Sequence, residues 1–242
     1  MTSFQVAARP SWATPLFALP IDAPEVDRRI TVAKGGEKYL DLAMDWRMTP
    51  RWRMQYGLTL VGDYAVPRIE PTDLVPKKLI VFSEAIRMKV PDEEAWVHFY
   101  EDDVKFERIW QEPEKYLKIL KRFSGIIAPD ASLYENMVEA DKIENTRRNY
   151  LFGAWAQRKG LNVIANVRLS GIESVGYALA GTPQHSVLAV SINGSVRDKR
   201  SRARTVQELR VICNAQQPTG LVVYGSDSYG VLDSVQEAGI QV

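Results

Sequence analysis

Short apolar runs alternate with amphipathic segments from residue 78 of the 242-residue chain onward. Six of these runs, several rich in β-branched residues and bounded by glycine or proline, cover residues 79–82, 96–100, 125–128, 163–167, 187–192 and 221–224. Nearly continuous apolar character is typical of strands whose two faces are both covered, as in parallel sheets. The pattern therefore predicts six buried strands, followed by a last short strand at residues 240–242.

The segments between these runs repeat their apolar residues at helical spacing. They predict helices at residues 106–120, with a break or new start at Pro113, and at residues 137–159, 205–216 and 231–238. Alternating strands and helices form right-handed units around a parallel sheet, which places the chain in the α/β class. The sheet can be barrel-like or open and doubly wound. The repeated strand-then-helix order and the absence of a dinucleotide-binding fingerprint favour the barrel-like arrangement.

The first 75 residues have a different character, because they are rich in proline and weakly periodic. Proline interrupts helices and central strands, so this region is expected to be loop-rich. Its tryptophans, Trp12, Trp46 and Trp52, still require burial. We therefore predict an N-terminal arm at residues 1–75 that packs on an α/β domain at residues 76–242.

Composition limits the class of protein. An apolar fraction of 45% and a charged fraction of 25% are typical of globular domains, and a net charge of +1 provides no general attraction to nucleic acid or membrane. The single cysteine, Cys213, lies in a helical apolar pattern and is expected to be a core residue. Because the sequence has neither a signal-peptide pattern nor a membrane-spanning apolar stretch, we expect a cytoplasmic protein without a membrane partner.

In both sheet arrangements ligands bind at the carboxyl ends of the strands. Asn166 and Arg168 lie at the very end of the fourth apolar run, where an unpaired guanidinium would be costly. Asp130, after the third run, is the best candidate for its partner, and Glu101, after the second, is the next. Two interpretations stay open: a structural Arg–Asp pair at the rim, or an arginine that grips an anionic ligand.

These strand ends supply the candidate reactive groups, although the sequence leaves open whether the protein is an enzyme. The candidate catalytic residues are Asp130, Arg168, Glu101 and Ser191. Glu101, Asp102 and Asp130 are also candidate ligands for Mg²⁺ or Mn²⁺, because these cations prefer oxygen donors. Alternatively, Asp102 or Asp103 caps the helix that follows. His98, inside an apolar strand, is expected to be a packed and hydrogen-bonded residue.

A basic stretch at residues 193–205 is the most distinctive part of the sequence. A strand leads through Gly-Ser into a helix start crowded with cations, which is an arrangement suited to phosphate. Positive charge at that end is unfavourable for the helix itself, so an anionic group is expected to offset it. The candidate ligand-binding residues here and on the neighbouring strand ends are Asn166, Asn193, Gly194, Ser195, Arg197, Tyr224 and Ser226. The alternative is a solvated basic loop.

Several motifs resemble a family of bacterial and phage proteins. The similar segments are residues 97–103, 106–117, 125–134, 145–149, 160–168 and 224–226, together with Ser191 and Gly194. This pattern, from about residue 54 to the end, resembles the domain of unknown function 4417 family, which implies a phage or bacterial origin and no particular activity. The favoured function is the binding or processing of a phosphate-bearing ligand, either a nucleotide or nucleic acid. The alternatives are a non-catalytic phage protein that binds a host protein and a phage assembly component.

Overall fold

A computed structural model of the protein describes residues 49–227 and 229–242. Its centre is a parallel sheet of six strands, which are β3 (Lys78–Val81), β4 (Ala95–His98), β5 (Gly125–Ile127), β6 (Val163–Asn166), β7 (Val187–Ser191) and β8 (Gly220–Tyr224). The strands lie side by side in the order of the chain, and each pair of neighbours is parallel. The predicted parallel α/β sheet is confirmed, and its strands lie at the predicted apolar runs.

The strand order selects between the two arrangements that the sequence left open. A doubly wound sheet reverses its strand order at one point, which places helices on both of its faces. These strands never reverse, so right-handed crossovers place the connecting helices on one face of the sheet. The sheet curls into a half-barrel, with its helices between successive strands. His98 of β4 and Tyr224 of β8 have ring centroids 4.7 Å apart, although four strand spacings in a flat sheet would separate them by about 19 Å. The barrel-like prediction is therefore the correct one.

The longer helices follow the predicted segments with changed bounds, and short helices that were not predicted lie between them. They are α2 (Phe82–Ala85), α3 (Asp103–Phe106), α4 (Arg108–Gln111), α5 (Pro113–Leu120), α6 (Glu139–Arg158), α7 (Val175–Ala178), α8 (Lys199–Gln216) and α9 (Asp233–Glu237), with a 3-10 turn at Ile172–Ser174. The first helical segment is divided, and α5 begins at Pro113 as expected, because proline suits the first turn. The helix predicted from residue 205 begins instead at Lys199, and Asp198 is its N-cap residue. The predicted strand at 240–242 is a single bridge between Gln241 and Gly220.

The two faces of the sheet bury separate sets of side chains. The convex face packs against the helices and forms a large core that includes Phe99, Phe152 and Leu120. The concave face carries a smaller cluster, formed by Trp96, Tyr100, Ile127, Ile164, Val187 and Ala189. Neighbouring residues of β4 alternate between these clusters, as the two-residue period of a strand requires. Both faces are thus apolar, which explains the continuous apolar runs in the sequence.

The described part of the predicted arm, residues 49–75, packs on the main domain. It contains α1 (Pro50–Met54) and an antiparallel pair, β1 (Leu60–Val61) and β2 (Val66–Pro67). Ile69 is fully buried in the convex core, and its N–H donates to the carbonyl of Gly181 at 3.1 Å. The boundary near residue 75 stays a prediction, and Trp12 and Trp46 lie outside the described residues.

Two simpler predictions concern Cys213 and membranes. Cys213 lies buried on α8 and belongs to the convex core, as expected, and its burial raises the pKa of its thiol. Within residues 49–227 and 229–242, no helix is both long enough and apolar enough to cross a bilayer.

Candidate functional site

A cavity of about 830 Å³ lies at the carboxyl ends of the central strands, next to the first half of α8. The candidate residues that line it are Glu101, Asp102, Asp130, Arg168, Ser191, Asn193, Gly194, Ser195 and Arg197. Their segments are far apart in sequence, and the parallel sheet brings them to one rim. Asn166 lies behind this lining, while Tyr224 and Ser226 do not contribute to it.

Arg168 and Asp130 form an ion pair at the rim, as their positions after neighbouring strands predicted. Nη1 of Arg168 lies 2.5 Å from Oδ2 of Asp130, and the two side chains are 30% and 6% exposed. The negative charge of Asp130 raises the pKa of Arg168 further above its usual range, so the guanidinium stays charged. Among the described residues, only Asp130 bonds to this guanidinium, through Nη1. The remaining N–H groups form no hydrogen bond with the described residues, and Arg168 lines the cavity.

Asn166 positions Asp130 instead of lining the cavity. Its Nδ2 donates to Oδ1 of Asp130 at 2.8 Å and to the carbonyl of Pro129 at 3.2 Å. The hydroxyl of Tyr100 donates to Oδ1 of Asn166 at 3.0 Å. Burial raises the pKa of Tyr100 well above its usual value, so this hydroxyl keeps its proton. Both carboxylate oxygens of Asp130 are thus held by neighbouring side chains.

The loop after β5 is fixed by two helices. Asp103 accepts hydrogen bonds from both the backbone N–H and the hydroxyl of Ser132, the latter at 2.9 Å. On α6, Asn145 donates to the carbonyl of Ser132 at 2.8 Å, and Asn149 accepts from the N–H of Ala131 at 2.7 Å. Asn145 and Asn149 are one helical turn apart and face the same loop. Sequence reasoning assigned these residues no role, although two asparagines at this spacing were a usable signal.

The three candidate metal ligands are engaged separately. Glu101 accepts a hydrogen bond from the N–H of Ser83 at 2.9 Å, and Asp102 pairs with Lys105 at 3.0 Å. Asp102 occupies the N-cap position of α3, as the capping alternative predicted, but its side chain forms no capping hydrogen bond, and Asp103 holds Ser132. Across the described residues, no group of three or more His, Cys, Asp and Glu side chains could hold a metal ion. The Mg²⁺ site stays a prediction without geometric support.

The basic start of α8 is offset by two acidic side chains. Asp198 caps the helix by accepting from the N–H of Ser201 at 2.9 Å and from its hydroxyl at 2.6 Å. Glu135, from the loop after β5, lies 2.9 Å from Arg204 and 3.4 Å from Arg200. The anionic group expected at this helix start is therefore supplied, at least in part, by the chain itself.

Arg197 differs from these arginines. It is exposed at the cavity, and it forms no hydrogen bond or ion pair with any residue that the structure describes. Its loop turns at Gly194, whose φ of 78° lies in the left-handed region that favours glycine. The hydroxyl of Thr205 donates to the carbonyl of Ser195 at 3.0 Å, which ties this loop to α8.

Glu208 is a cavity residue that sequence reasoning missed. Its carboxylate accepts from the N–H of Gly171 at 3.1 Å and lies 3.9 Å from Nε of Arg204. Burial raises its pKa. A lone glutamate within an amphipathic helix carries no signal that separates it from a solvated surface residue, so nothing in the pattern selects it.

Tyr224 and His98, two residues singled out from the sequence, lie together at the concave face. Tyr224 stacks on Tyr100, with ring centroids 4.8 Å apart, so its described contacts are structural and its ligand-binding role stays a prediction. His98 accepts from the N–H of Tyr100 through Nδ1 at 3.2 Å. Burial lowers the pKa of His98 to about 4, and the packed, hydrogen-bonded role predicted for it is confirmed.

Comparisons with known proteins find relatives in phages. The chain is 30% identical over 163 residues to the Gene 1 protein of Mycobacterium phage L5, which covers 67% of this chain and 71% of that protein. It is 27% identical over 167 residues to the Gene 1 protein of Mycobacterium phage D29, covering 69% of this chain and 62% of that protein. No solved structure matches the chain.

The family comparison covers most of the fold just described. The family model for a domain of unknown function, number 4417, matches residues 58–237. This match includes every strand from β1 to β8, the cavity-lining loops and the helices α2 to α9. The resemblance inferred from the motifs is therefore confirmed, and the chain belongs to the domain of unknown function 4417 family.

Proposed function

We propose that the cavity at the strand ends binds a phosphate-bearing ligand, a nucleotide or a nucleic-acid strand. The observation that carries this proposal is Arg197, an exposed guanidinium at the cavity without a partner in the described chain. Guanidinium groups bind phosphate through paired N–H donors. Arg168 adds N–H groups on the same cavity, held in place by Asp130.

The acidic residues of the cavity already have partners within the chain. Those that line the cavity are Glu101, Asp102, Asp130, Glu135, Asp198 and Glu208. Each accepts a hydrogen bond or pairs with a cation of the protein. The guanidinium of Arg197 is left to interact with an anion from outside.

Neutral donors support the same ligand class. Ser191 and Asn193 line the cavity, and their side chains form no hydrogen bond with the described residues. A hydroxyl and an amide beside an arginine are donors that phosphate oxygens accept. Asp130 has both oxygens engaged, which favours binding over proton transfer by this carboxylate.

The test is thermal unfolding with inorganic phosphate, nucleoside triphosphates and a short single-stranded DNA, each with and without Mg²⁺. We expect at least one of these ligands to raise the Tm of the wild-type protein, and Arg197→Ala to abolish that rise. Because Arg197 forms no hydrogen bond or ion pair with the described residues, the Tm of this variant without ligand should equal that of the wild type.

Arg210→Ala is the matched control, because Arg210 is an exposed arginine of α8 that does not line the cavity. This variant should keep the full response. The proposal is wrong if no ligand in the set changes the Tm, or if Arg197→Ala responds as the wild type does.

The phage relatives indicate where a protein with the proposed function would act. A phage-encoded protein with this function would act in the cytoplasm of the host cell, where nucleotides and phage nucleic acid are found. Of the two alternatives, binding of a host protein depends on the arm, whose Trp12 and Trp46 lie outside the described residues, while particle assembly has no particular residue assigned to it. Capture of a host protein by the wild type and by Arg197→Ala alike, without any ligand response, would favour those alternatives.

A further inference from the structure

Glu135 is held by two arginines of α8 at the edge of the cavity. Its Oε2 lies 2.9 Å from Nη1 of Arg204, and its Oε1 lies 3.4 Å from Nη2 of Arg200. The two arginines are four residues apart and therefore project from the same side of the helix. One anionic group held by two guanidinium groups is also the arrangement in which proteins bind a phosphate.

We infer that Arg200 and Arg204 form a second anion subsite whose place Glu135 takes, so that the ligand of the cavity carries two or more linked phosphate groups. This inference rests on the proposed function, because Arg197 supplies the first subsite. All three arginines line the same cavity. A ligand with a single phosphate would use the first subsite alone.

The two subsites are mechanically joined. Arg197 belongs to the loop between β7 and α8, and the carbonyl of Ser195 in that loop accepts a hydrogen bond from Thr205 at 3.0 Å. Thr205 directly follows Arg204 on α8, so the loop and the second subsite are fixed to the same helical turn. The backbone therefore holds the two subsites in a fixed relation to each other.

The ion pairs of Glu135 are weak enough for a ligand to replace this side chain. The side chains are exposed by 60% for Glu135, 88% for Arg200 and 41% for Arg204. Ion pairs as exposed as these contribute little to stability, because water screens them. A diphosphate or triphosphate brings more negative charge than one carboxylate, so it can displace Glu135. A single inorganic phosphate binds at Arg197 and leaves Glu135 in place.

The experiment is calorimetric titration of the intact chain with inorganic phosphate, pyrophosphate and tripolyphosphate at constant ionic strength. The variants are Glu135→Gln, which removes the competing charge, and Arg204→Ala, which removes part of the subsite. Glu135→Gln should tighten binding of pyrophosphate and tripolyphosphate by about three- to tenfold and change phosphate binding less than twofold. Arg204→Ala should weaken the two longer ligands and leave phosphate unaffected.

Glu144→Gln is the matched control, because Glu144 also pairs with two arginines, Arg51 and Arg147, away from the cavity. The Glu144→Gln variant should bind all three anions with the affinity of the wild type. Unaltered pyrophosphate binding in Glu135→Gln, with the wild type still binding phosphate through Arg197, would overturn this inference and leave the proposed function intact. No binding of any of the three anions to the wild type or to Glu135→Gln would overturn both.

Discussion

Tyr224, the last residue of β8, stacks on Tyr100, which follows β4, with ring centroids 4.8 Å apart and 21° between the ring planes. This contact crosses the concave face of the half-barrel and joins strands that are not neighbours in the sheet. Because the hydroxyl of Tyr100 also holds Asn166, and Asn166 holds Asp130, the curvature of the sheet is linked to the position of the rim carboxylate.

We therefore expect Tyr224→Ala to destabilise the fold and Tyr224→Phe to be nearly neutral. The alanine variant loses the stacked ring, whereas phenylalanine keeps it and removes a hydroxyl that makes no hydrogen bond with the described residues. The expected loss for alanine is about 1 to 2 kcal/mol in the free energy of unfolding. Urea titration measures it, and equal losses in the two variants would show that stacking is unimportant.

The Asp130–Arg168 pair should be strongly coupled. Removing either partner leaves a charge at the rim without its counter-ion, and for the nearly buried Asp130 this costs about 3 kcal/mol. We expect Asp130→Ala and Arg168→Ala each to lower the free energy of unfolding, and the double variant to lose clearly less than the sum of the two. A double-mutant cycle from urea unfolding provides the coupling energy, and additive losses would contradict a direct interaction.

Asn149→Ala should release the loop after β5. The amide of Asn149 is buried and serves both the N–H and the carbonyl of Ala131. Alanine leaves these backbone groups unpaired, at a cost of about 2 kcal/mol in the free energy of unfolding. Asn162→Ala is the control, because its hydrogen bond to the carbonyl of Ser124 is exposed to water. If both substitutions cost the same, the loop does not depend on Asn149.

His98 should make the fold sensitive to mild acid. The pKa of this histidine is 6.5 in the unfolded chain and about 4 in the folded chain, because burial disfavours the charged form. Below pH 6.5 the unfolded state therefore binds more protons, and stability falls as pH falls through this window. Between pH 7 and pH 5 the expected loss from His98 is about 2 kcal/mol.

The variant that checks this is His98→Asn, whose amide oxygen can replace Nδ1 as acceptor for the N–H of Tyr100. Its urea unfolding should depend less on pH between 7 and 5. His185→Asn, at the exposed second histidine of the chain, should keep the wild-type dependence. A wild-type slope in His98→Asn would mean that other groups cause the acid sensitivity.

The sequence predicted the sheet well because strands that are buried on both faces are apolar at nearly every position. Residues 163–167 are apolar except for Asn166, and that exception marked the site. The pair of Arg168 and Asp130 was predictable for the same reason, since a charge at the end of a buried strand needs a partner on a neighbouring strand.

The contacts that cross the curved sheet and the finer contacts of the rim were not predictable. The contact of Tyr224 with Tyr100 depends on the summed bending of several strands, and no local period encodes it. The start of α8 was missed because its first turn is basic and has no apolar period, although Asp198 three residues before Ser201 was a capping signal. Glu135 was overlooked because only the folded chain brings this loop glutamate to Arg200 and Arg204.

The unbroken sequential order of the strands has a consequence for how this architecture can diversify. Each strand-and-helix unit pairs, within the sheet, only with the units before and after it. A loop can therefore lengthen, shorten or exchange its polar groups while strand pairing elsewhere keeps its register. Relatives built on one scaffold can in this way acquire different ligand preferences through changes that never reach the interior.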